Sequence, residues 1–334
     1  MIQTRVLSVD IASPDSAILD EAAHILARGG LVAFPTETVY GLGADATLES
    51  AVRAVFAAKG RPADNPLIVH LADAAEMSSV AIDIPPLAHT MAAAFWPGPL
   101  TLVLKGKTHL PLEVTAGLDT VAVRVPDHAV PRELVRRLGR GIVGPSANSS
   151  GRPSPTTAEH VLADLNGLVD LILDSGPTRI GVESTVVDVT CNPPKILRQG
   201  GLTQELIEAA IGPLAEKYDP EDLRRSPGTR YRHYAPRARV ILVQTGDSGG
   251  AHTAVAECKS TGRRVGVIIH SIVMLDGVAD VILRVSSDPA DYAHQFYASL
   301  RDMDNAGMEC VIVEEVEESG LGRTLRDRMR RAAE

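Results

Sequence analysis

The sequence predicts an α/β protein: an open, twisted, mixed sheet with helices, followed by a smaller three-layer α/β domain. Short apolar runs alternate with amphipathic stretches over the first two thirds of the 334 residues. The proline-rich segment Pro213–Arg239 interrupts this alternation, and a shorter one follows it. Aromatic residues make up only 3% of the chain, so aliphatic residues must form the cores, as in buried parallel sheets. We predict a first domain over residues 1–212, a linker over 213–238 and a second domain over 239–334.

The first domain opens with a strand at Val6–Val9 and an amphipathic helix at Ser16–Arg28, which the glycine pair after it should end. Leu31–Phe34 is a short buried strand that runs into a polar turn, and Glu49–Ala58 is a second helix. The last predicted strands follow one another directly, which indicates a mixed rather than a parallel sheet. The remaining strands are predicted at Leu67–Leu71, Leu100–Leu104, Val121–Val125, Ile142–Gly144, Leu168–Leu173, Ser184–Val189 and Lys195–Arg198.

The linker contains four prolines and, from Leu223 to Arg239, six arginines and no acidic residue. A solvated tether explains such a run, but Tyr231, His233 and Tyr234 within it argue for contacts. The second domain is predicted to be Rossmann-like, although it lacks a Gly-x-Gly-x-x-Gly loop and a P-loop. Its strands are predicted at Val240–Val243, Val265–Ile269, Val281–Val285 and Val311–Val313, and its helices at His252–Ser260, Ala290–Ala306 and Leu321–Ala333.

Charge and cysteine content exclude several classes of protein. The net charge is −9, from 33 basic and 42 acidic residues, which argues against a protein that coats nucleic acid through a uniformly basic surface. Cys191, Cys258 and Cys310 lie far apart, so neither a zinc knuckle nor a disulfide framework is supported. No apolar run approaches the roughly 20 residues of a membrane helix. We expect reduced thiols, no membrane contact and a cytoplasmic location.

Four polar or glycine-rich segments lie where predicted strands end and loops begin. Open α/β sheets bind ligands at such strand ends. They are residues 34–43, 59–70, 144–154 and 181–188. Taken singly, each has a plain interpretation as a strand turn, a helix end with favourable cations, or a polar loop. The Lys59–Arg61 pair nevertheless combines a point charge with a planar fork, which a polyphosphate requires.

Arg124 stands between apolar residues in a predicted central strand. A buried guanidinium is costly unless it is paired. Its partner is either an acidic neighbour or a ligand carboxylate, and the residue alone does not choose between them.

Taken together, six motifs resemble the YrdC-like family. They are PTETVYGLG at 35–43, KGRPADNPLIVH at 59–70, WPGPLTLVL at 96–104, RVPDH at 124–128, GPSANSSGRPSPTT at 144–157 and GVESTVVD at 181–188. The run SPGTRYRHYAP at 226–236, ahead of an additional α/β domain, is similar to the long, two-domain threonylcarbamoyl-AMP synthases of that family.

The resemblance implies an activity. In that family, carbon dioxide or bicarbonate converts L-threonine to a carbamate, whose oxygen attacks the α-phosphorus of ATP and releases pyrophosphate. Mg²⁺ arrives with ATP, and no protein-bound metal is implied. The product passes to a separate tRNA threonylcarbamoyl transferase complex, which modifies the adenosine 3′ of the anticodon. An indirect relation of this chain to tRNA fits this sequence of steps, and the sequence leaves direct tRNA binding open.

The resemblance also assigns residues. Lys59 and Arg61 are implied as catalytic, because they neutralise the triphosphate. The Tyr231–Pro236 segment is expected to fold over the pocket as a lid that excludes water. The implied threonine-binding residues are Thr38, His70, Arg124, Gly144 and Ser184. The implied ATP-binding residues are Arg61, Asn65, Thr120, Ser146, Asn148, Ser154, Arg198, Tyr231 and His233.

Two other functions remain as alternatives. A carbamoyltransferase of the hydrogenase-maturation type would carry zinc-finger cysteine pairs and an acylphosphatase unit, and neither is visible in the sequence. A non-catalytic RNA-binding module would bind RNA without ATP and in a salt-sensitive manner. The acidic net charge and the Arg124 position count against that module.

Overall fold

The computed structural model describes residues 3–215, 220–226, 233–273 and 277–334. By their internal contacts these residues form two compact units. The first unit draws on Met1–Ser150, Pro155–Arg179 and Glu183–Arg230, and the second on Gly151–Ser154, Ile180–Val182 and Tyr231–Glu334. The predicted domain boundaries at 212 and 239 stay predictions.

A ten-stranded sheet forms the centre of the first unit, with the strand order β1-β8-β2-β3-β7-β4-β6-β5-β9-β10. Four of its pairings are parallel (β1–β8, β2–β8, β4–β6 and β5–β9) and the rest are antiparallel. The predicted mixed sheet is therefore confirmed. The strands are β1 Arg5–Ser8, β2 Val32–Phe34, β3 Gly41–Asp45, β4 Ile68–His70, β5 Leu100–Lys105, β6 Thr120–Arg124, β7 Ile142–Val143, β8 Leu171–Asp174, β9 Thr185–Asp188 and β10 Lys195–Arg198.

Local capping sets the helix ends of this unit. The first helix begins after Asp15, whose carboxylate accepts a hydrogen bond from the Ala17 N–H at 2.8 Å. The second ends where Gly60 adopts the left-handed conformation. The helices are α1 Ser16–Ala27, α2 Glu49–Lys59, α3 Met77–Val80, α4 Pro86–Phe95, α5 Leu112–Thr115, α6 Ala129–Leu138, α7 Ala158–Leu165 and α8 Gln204–Ile211, with 3-10 turns at Ala74–Glu76 and Pro220–Arg225.

The two faces of this sheet differ. On one face, α2, α4 and α7 cover the larger apolar core, which includes Leu102 and Val123. On the other face, α1 and α6 pack over Val32, Phe34 and Ile142. A small buried cluster continues that second face across the central strands and consists of Ile68, Val103, Ala122, Val186 and Leu197. Because side chains alternate along a strand, His70 and Arg124 share this second face.

Strand β3 was not predicted, since its two glycines suggested a loop. A Cβ atom at Gly41 would lie 2.9 Å from a ring carbon of Phe34, and one at Gly43 would lie 2.8 Å from the same ring. Both glycines are therefore needed where β3 pairs with β2, because the Phe34 ring lies over them. The polar turn before β3 is confined to residues 35–40.

The described part of the predicted linker contacts the first unit. Lys195 Nζ lies 2.8 Å from an Asp222 carboxylate oxygen, and Arg225 Nη1 lies 3.0 Å from Asp188 Oδ2. Asp188 is fully buried. Residues 220–226 are thus held by ion pairs at the β9–β10 edge of the sheet and do not form a solvated tether.

The second unit contains a four-stranded parallel sheet with the order β11-β14-β12-β13. Its strands are β11 Arg239–Val243, β12 Val265–Ile269, β13 Val281–Arg284 and β14 Cys310–Glu314, and its helices are α9 Ser248–Ser260, α10 Pro289–Asn305 and α11 Leu321–Ala333. Helix α9 packs on one face, and α10 and α11 pack on the other. The predicted three-layer arrangement is confirmed.

Helix α9 begins four residues before the predicted start at His252, because Asp247 caps it by accepting a hydrogen bond from the Gly250 N–H at 2.8 Å. Two glycines in its first turn concealed this start. No helix among the described residues is long and apolar enough to cross a membrane. All three cysteines are free thiols.

A buried carboxylate at the end of β14 connects two loops of the second unit. Glu314 ends β14 and is fully buried. It accepts hydrogen bonds from the Gly246 N–H (2.8 Å), the His270 N–H (2.8 Å), the Ser271 N–H (3.0 Å) and the Ser271 hydroxyl. Burial alone would raise the pKa of Glu314, but these hydrogen bonds outweigh it and lower the pKa to about 2.

Replacing Glu314 with glutamine should lower the free energy of unfolding by about 2 to 3 kcal/mol at neutral pH, because an amide cannot accept all of these hydrogen bonds. The wild-type stabilisation is complete above the usual pKa of 4.5 and is lost as the pH falls towards about 2. Urea unfolding at pH 7 and at pH 3.5 measures both effects. Glu318→Gln, at an exposed ion pair, is the control. Equal losses at the two pH values in Glu314→Gln would contradict this account.

Candidate active site

Four of the predicted threonine-binding residues lie at neighbouring strand ends of the first unit. His70 and Arg124 end two adjacent parallel strands and face each other in register. Gly144 follows β7, and its N–H donates to the Ile68 carbonyl at 3.0 Å. Ser184 immediately precedes β9, which pairs with β5 beside β6. The structure therefore brings these four residues together on one stretch of the sheet.

The turn after β2 supplies the fifth residue, Thr38. The Thr36 hydroxyl accepts hydrogen bonds from the Thr38 N–H (3.1 Å) and the Val39 N–H (3.2 Å), and it donates to the Val39 carbonyl at 2.7 Å. This closed turn fixes residues 37 and 38 next to Arg124. Arg124 Nη1 donates to Thr38 Oγ1 at 2.9 Å.

Arg124 is only 4% exposed, and three chain segments contact its guanidinium. Besides the Thr38 bond, Nε donates to the Gly98 carbonyl at 3.1 Å, and Nη2 lies 2.7 Å from Glu37 Oε1. The sequence left open whether an acidic neighbour or a ligand pairs with this cation, and the structure supplies Glu37. The ion pair is close in distance but lacks hydrogen-bond alignment, since neither Glu37 oxygen nor Arg124 Nη2 has a hydrogen-bond partner among the described residues.

Sequence reasoning missed Glu37. The available signal was an acidic residue enclosed by two threonines in the PTET turn, at a point where the chain was already expected to bind a ligand. Only the fold shows that this acid is buried next to Arg124.

His70 is neutral in this site. Burial, and secondarily the charge of Arg124, lower its pKa to about 3. Its ring contacts the edge of Phe34, with 5.7 Å between centroids, and its Nδ1 atom has no hydrogen-bond partner in the described part of the chain. A Cβ atom at Gly144 would lie 2.5 Å from that Nδ1. Gly144 therefore makes room for the imidazole.

Ser184 belongs to a buried polar group on the same stretch of the sheet. Its hydroxyl lies 2.7 Å from Thr101 Oγ1 and accepts a hydrogen bond from Arg198 Nη2 at 3.2 Å. The same Nη2 donates to the Ser184 carbonyl at 2.8 Å. Arg198, predicted to bind ATP, thus holds a residue that is predicted to bind threonine.

Lys59, the last residue of α2, is buried against the loop that carries Ser146 and Asn148. Its Nζ donates to the Ser146 carbonyl at 2.5 Å and to the Asn148 carbonyl at 2.6 Å. Burial and the charge of Arg61 lower the pKa of Lys59 well below its usual value. The Nζ atom donates to carbonyl oxygens rather than to a carboxylate, and the charge of Asp164 only partly offsets burial and Arg61, so an anionic ligand would find a favourable place here.

The remaining predicted ATP-binding residues are more dispersed. Arg61 folds onto its own loop, where Nη2 donates to the Pro66 carbonyl at 2.8 Å beside the buried Asn65. Thr120 begins β6 and shares the face of Arg124, but it lies about 13 Å away along the strand. Ser154 and His233 fall in the second unit, and Tyr231 lies outside the described residues. The lid and all of the assigned roles stay predictions.

Residues 24–200 match the protein family described as Telomere recombination (Sua5, YciO and YrdC), and residues 202–334 match the family described as Threonylcarbamoyl-AMP synthase, C-terminal domain. The Threonylcarbamoyl-AMP synthase of Pyrococcus abyssi is 46% identical over 319 residues, which cover 93% of this chain and 93% of that protein. The chain belongs to the threonylcarbamoyl-AMP synthase family.

Other members of the threonylcarbamoyl-AMP synthase family are similar to this chain over nearly its whole length. The Bacillus subtilis Threonylcarbamoyl-AMP synthase is 42% identical and covers 99% of this chain and 98% of its own. The crystal structure of P. abyssi Sua5 complexed with L-threonine superposes with a TM-score of 0.92 at 43% identity and covers 98% of this chain and 97% of its own. Escherichia coli YciO, with a TM-score of 0.53 at 24% identity, covers 60% of this chain and 96% of its own and shares the fold alone. The resemblance, the fold class and the nucleotidyltransferase type of enzyme are confirmed.

Replacing Gly144 with alanine should displace the His70 ring, because the new methyl group would overlap Nδ1 and Cε1. We expect threonine binding to weaken about tenfold or more, together with a loss of about 1 to 3 kcal/mol of stability. Titration calorimetry and thermal unfolding test this. Gly106→Ala is the matched control, since a Cβ there meets ordinary contacts at 3.5 Å. Unchanged threonine affinity in Gly144→Ala would contradict the assignment of His70 to the site.

Proposed function

We propose that this enzyme condenses L-threonine, bicarbonate or carbon dioxide, and ATP into threonylcarbamoyl-AMP and releases pyrophosphate. The product serves the threonylcarbamoylation of the adenosine 3′ of the anticodon in tRNA. Membership in the threonylcarbamoyl-AMP synthase family supports the reaction, and the L-threonine complex of P. abyssi Sua5 supports the amino acid. The non-catalytic RNA-binding alternative is set aside, because these relatives are enzymes.

One observation carries the proposal: the first unit combines a buried guanidinium with a buried ammonium. The Arg124 group, with Thr38, His70 and Ser184, suits a small amino acid that carries a carboxylate and a hydroxyl. The Lys59 group holds a serine- and glycine-rich loop, which suits phosphates. An enzyme that joins an amino-acid derivative to a nucleotide needs both kinds of subsite.

In this proposal the polar groups divide the recognition of threonine. Arg124 takes the α-carboxylate through its planar fork. Neutral His70 can hydrogen-bond the side-chain hydroxyl through Nδ1, and the Thr38 hydroxyl lies beside the Arg124 guanidinium. A site built to hydrogen-bond a substrate hydroxyl rejects analogues that lack it, because its buried polar groups would then lose their partner.

The chemical step then depends on positioning and on charge. The carbamate oxygen is already an anion, so attack on the α-phosphorus requires no protein nucleophile. The ammonium of Lys59 and the guanidinium of Arg61 offset the charge of the triphosphate as pyrophosphate leaves. Mg²⁺ enters with ATP as part of the substrate, held by phosphate oxygens and water. The product is consumed by a separate transferase in the cytoplasm.

The test follows pyrophosphate release from Mg-ATP by purified protein, with and without threonine and bicarbonate. We expect release to require both. Arg61→Ala should reduce kcat/KM about 10²-fold or more, because a charge-assisted contact to the phosphates is lost. Arg124→Ala should raise the threonine KM about 10- to 100-fold. Arg53→Ala, which removes an exposed arginine paired with Glu49 and Glu113, should match wild type.

Thermal unfolding is recorded for each variant, because Arg124→Ala leaves Glu37 buried beside no cation. Release that ignores threonine would point to another acceptor and contradict the proposed substrate. A folded wild-type enzyme that releases no pyrophosphate under any of these conditions would overturn the proposed reaction.

A further inference from the structure

We propose that Glu37 binds the amino group of the amino-acid substrate, so that Glu37 and Arg124 together form a receptor for a zwitterion. This inference rests on the proposed function, because it assumes that an amino acid occupies the Arg124 site. It adds a binding residue that the motif comparison did not assign.

The burial of Glu37 is the first observation. The residue is 2% exposed, and both carboxylate oxygens are inaccessible to solvent. Neither oxygen accepts a hydrogen bond from any described residue. A buried carboxylate normally collects several donors, because its desolvation is costly otherwise. Glu314 in the second unit, with its backbone and hydroxyl donors, illustrates the satisfied case. Glu37 therefore has unused acceptor capacity among the described residues, and a ligand donor fills it only when the side chains that enclose the two oxygens move apart.

The position of this acceptor relative to Arg124 is the second observation. Glu37 Oε1 lies 2.7 Å from Arg124 Nη2. An amino acid carries its ammonium and its carboxylate on the same carbon atom, so its two receptor groups must also be neighbours. The Arg124–Glu37 pair offers one charge of each sign at that spacing. The Thr36 turn and the Thr38–Arg124 hydrogen bond fix both side chains in advance.

The neighbouring His128 does not provide the cation that would pair with Glu37 in place of a ligand. His128, the N-cap residue of α6, also interacts electrostatically with Glu37. Burial lowers the pKa of His128 to about 4, so the imidazole is neutral near pH 7. Its Nδ1 accepts the Val130 N–H at 3.2 Å, and its Nε2 lies 3.2 Å from the Ser175 hydroxyl. His128 therefore supplies no cation that competes with an incoming ammonium for Glu37.

A purely structural Glu37, which does no more than balance Arg124, is the competing explanation. The two explanations differ in which ligands should lose affinity when Glu37 is replaced. A receptor for the amino group affects only ligands that have one. A support for Arg124 affects every carboxylate ligand equally, since it acts through the guanidinium.

The experiment measures the affinities of L-threonine and of 3-hydroxybutyrate, which is threonine without its amino group. Calorimetric titration, or competition where binding is weak, is carried out at pH 7 without ATP. In the wild-type enzyme, we expect threonine to bind about 10- to 100-fold more tightly than 3-hydroxybutyrate. In Glu37→Gln, this preference should fall towards one, chiefly through weaker threonine binding. Glu37→Asp should retain part of it, because the charge remains and only the reach is shortened.

Equal losses for both ligands in Glu37→Gln would overturn the inference and assign Glu37 to the support of Arg124. Unchanged affinities would overturn it as well. Should Glu37→Gln fail to fold, Glu37→Asp carries the same comparison, with a selective loss for threonine as the expected result. A wild-type enzyme that binds neither ligand would overturn the proposed function itself, which separates the two failures.

Discussion

A buried guanidinium at the end of a central strand organises the candidate site. Arg124 contacts the Gly98 carbonyl, the Thr38 hydroxyl and the Glu37 carboxylate, so that one side chain joins β6, the segment ahead of β5 and the turn after β2. Because a buried cation must find partners, these segments cannot vary independently. The closed Thr36 turn, the pocket that Gly144 leaves for His70 and the Phe34 ring beneath it all surround this one charge.

Lys59 is a second buried cation, and it holds the loop that carries Ser146 and Asn148. Its ammonium orders the Ser146 and Asn148 backbone by hydrogen-bonding two carbonyls, and carbonyl dipoles only partly compensate a full charge. Burial and the neighbouring charge of Arg61 lower the pKa of Lys59. Lys59 and Arg124 are thus better placed for anions than for further stabilisation of the fold. An enzyme that binds a carboxylate beside a triphosphate can use this arrangement directly.

The second unit also buries a charge at its strand ends, but here the charge is the negative carboxylate of Glu314. Glu314 collects donors from two loops at the carboxyl ends of its parallel strands, which is the edge where many α/β sheets hold a ligand. The carboxylate fills that position itself and fixes the loops. The same unit also includes residues 151–154, where Arg301 Nη2 donates to the Pro153 carbonyl and Arg152 pairs with Asp304.

The sequence by itself determined the alternation of strands and helices, the mixed sheet, the three-layer second unit and the motifs that point to the family. Apolar periodicity, capping residues and glycine stops act over a few residues, so they are legible locally. It did not predict β3, because Gly41 and Gly43 look like a loop until Phe34 lies over them. Nor did it show the partner of Arg124 or the carbonyl partners of Lys59. Those contacts join residues 86 to 89 positions apart, and only the tertiary structure decides which buried charges meet.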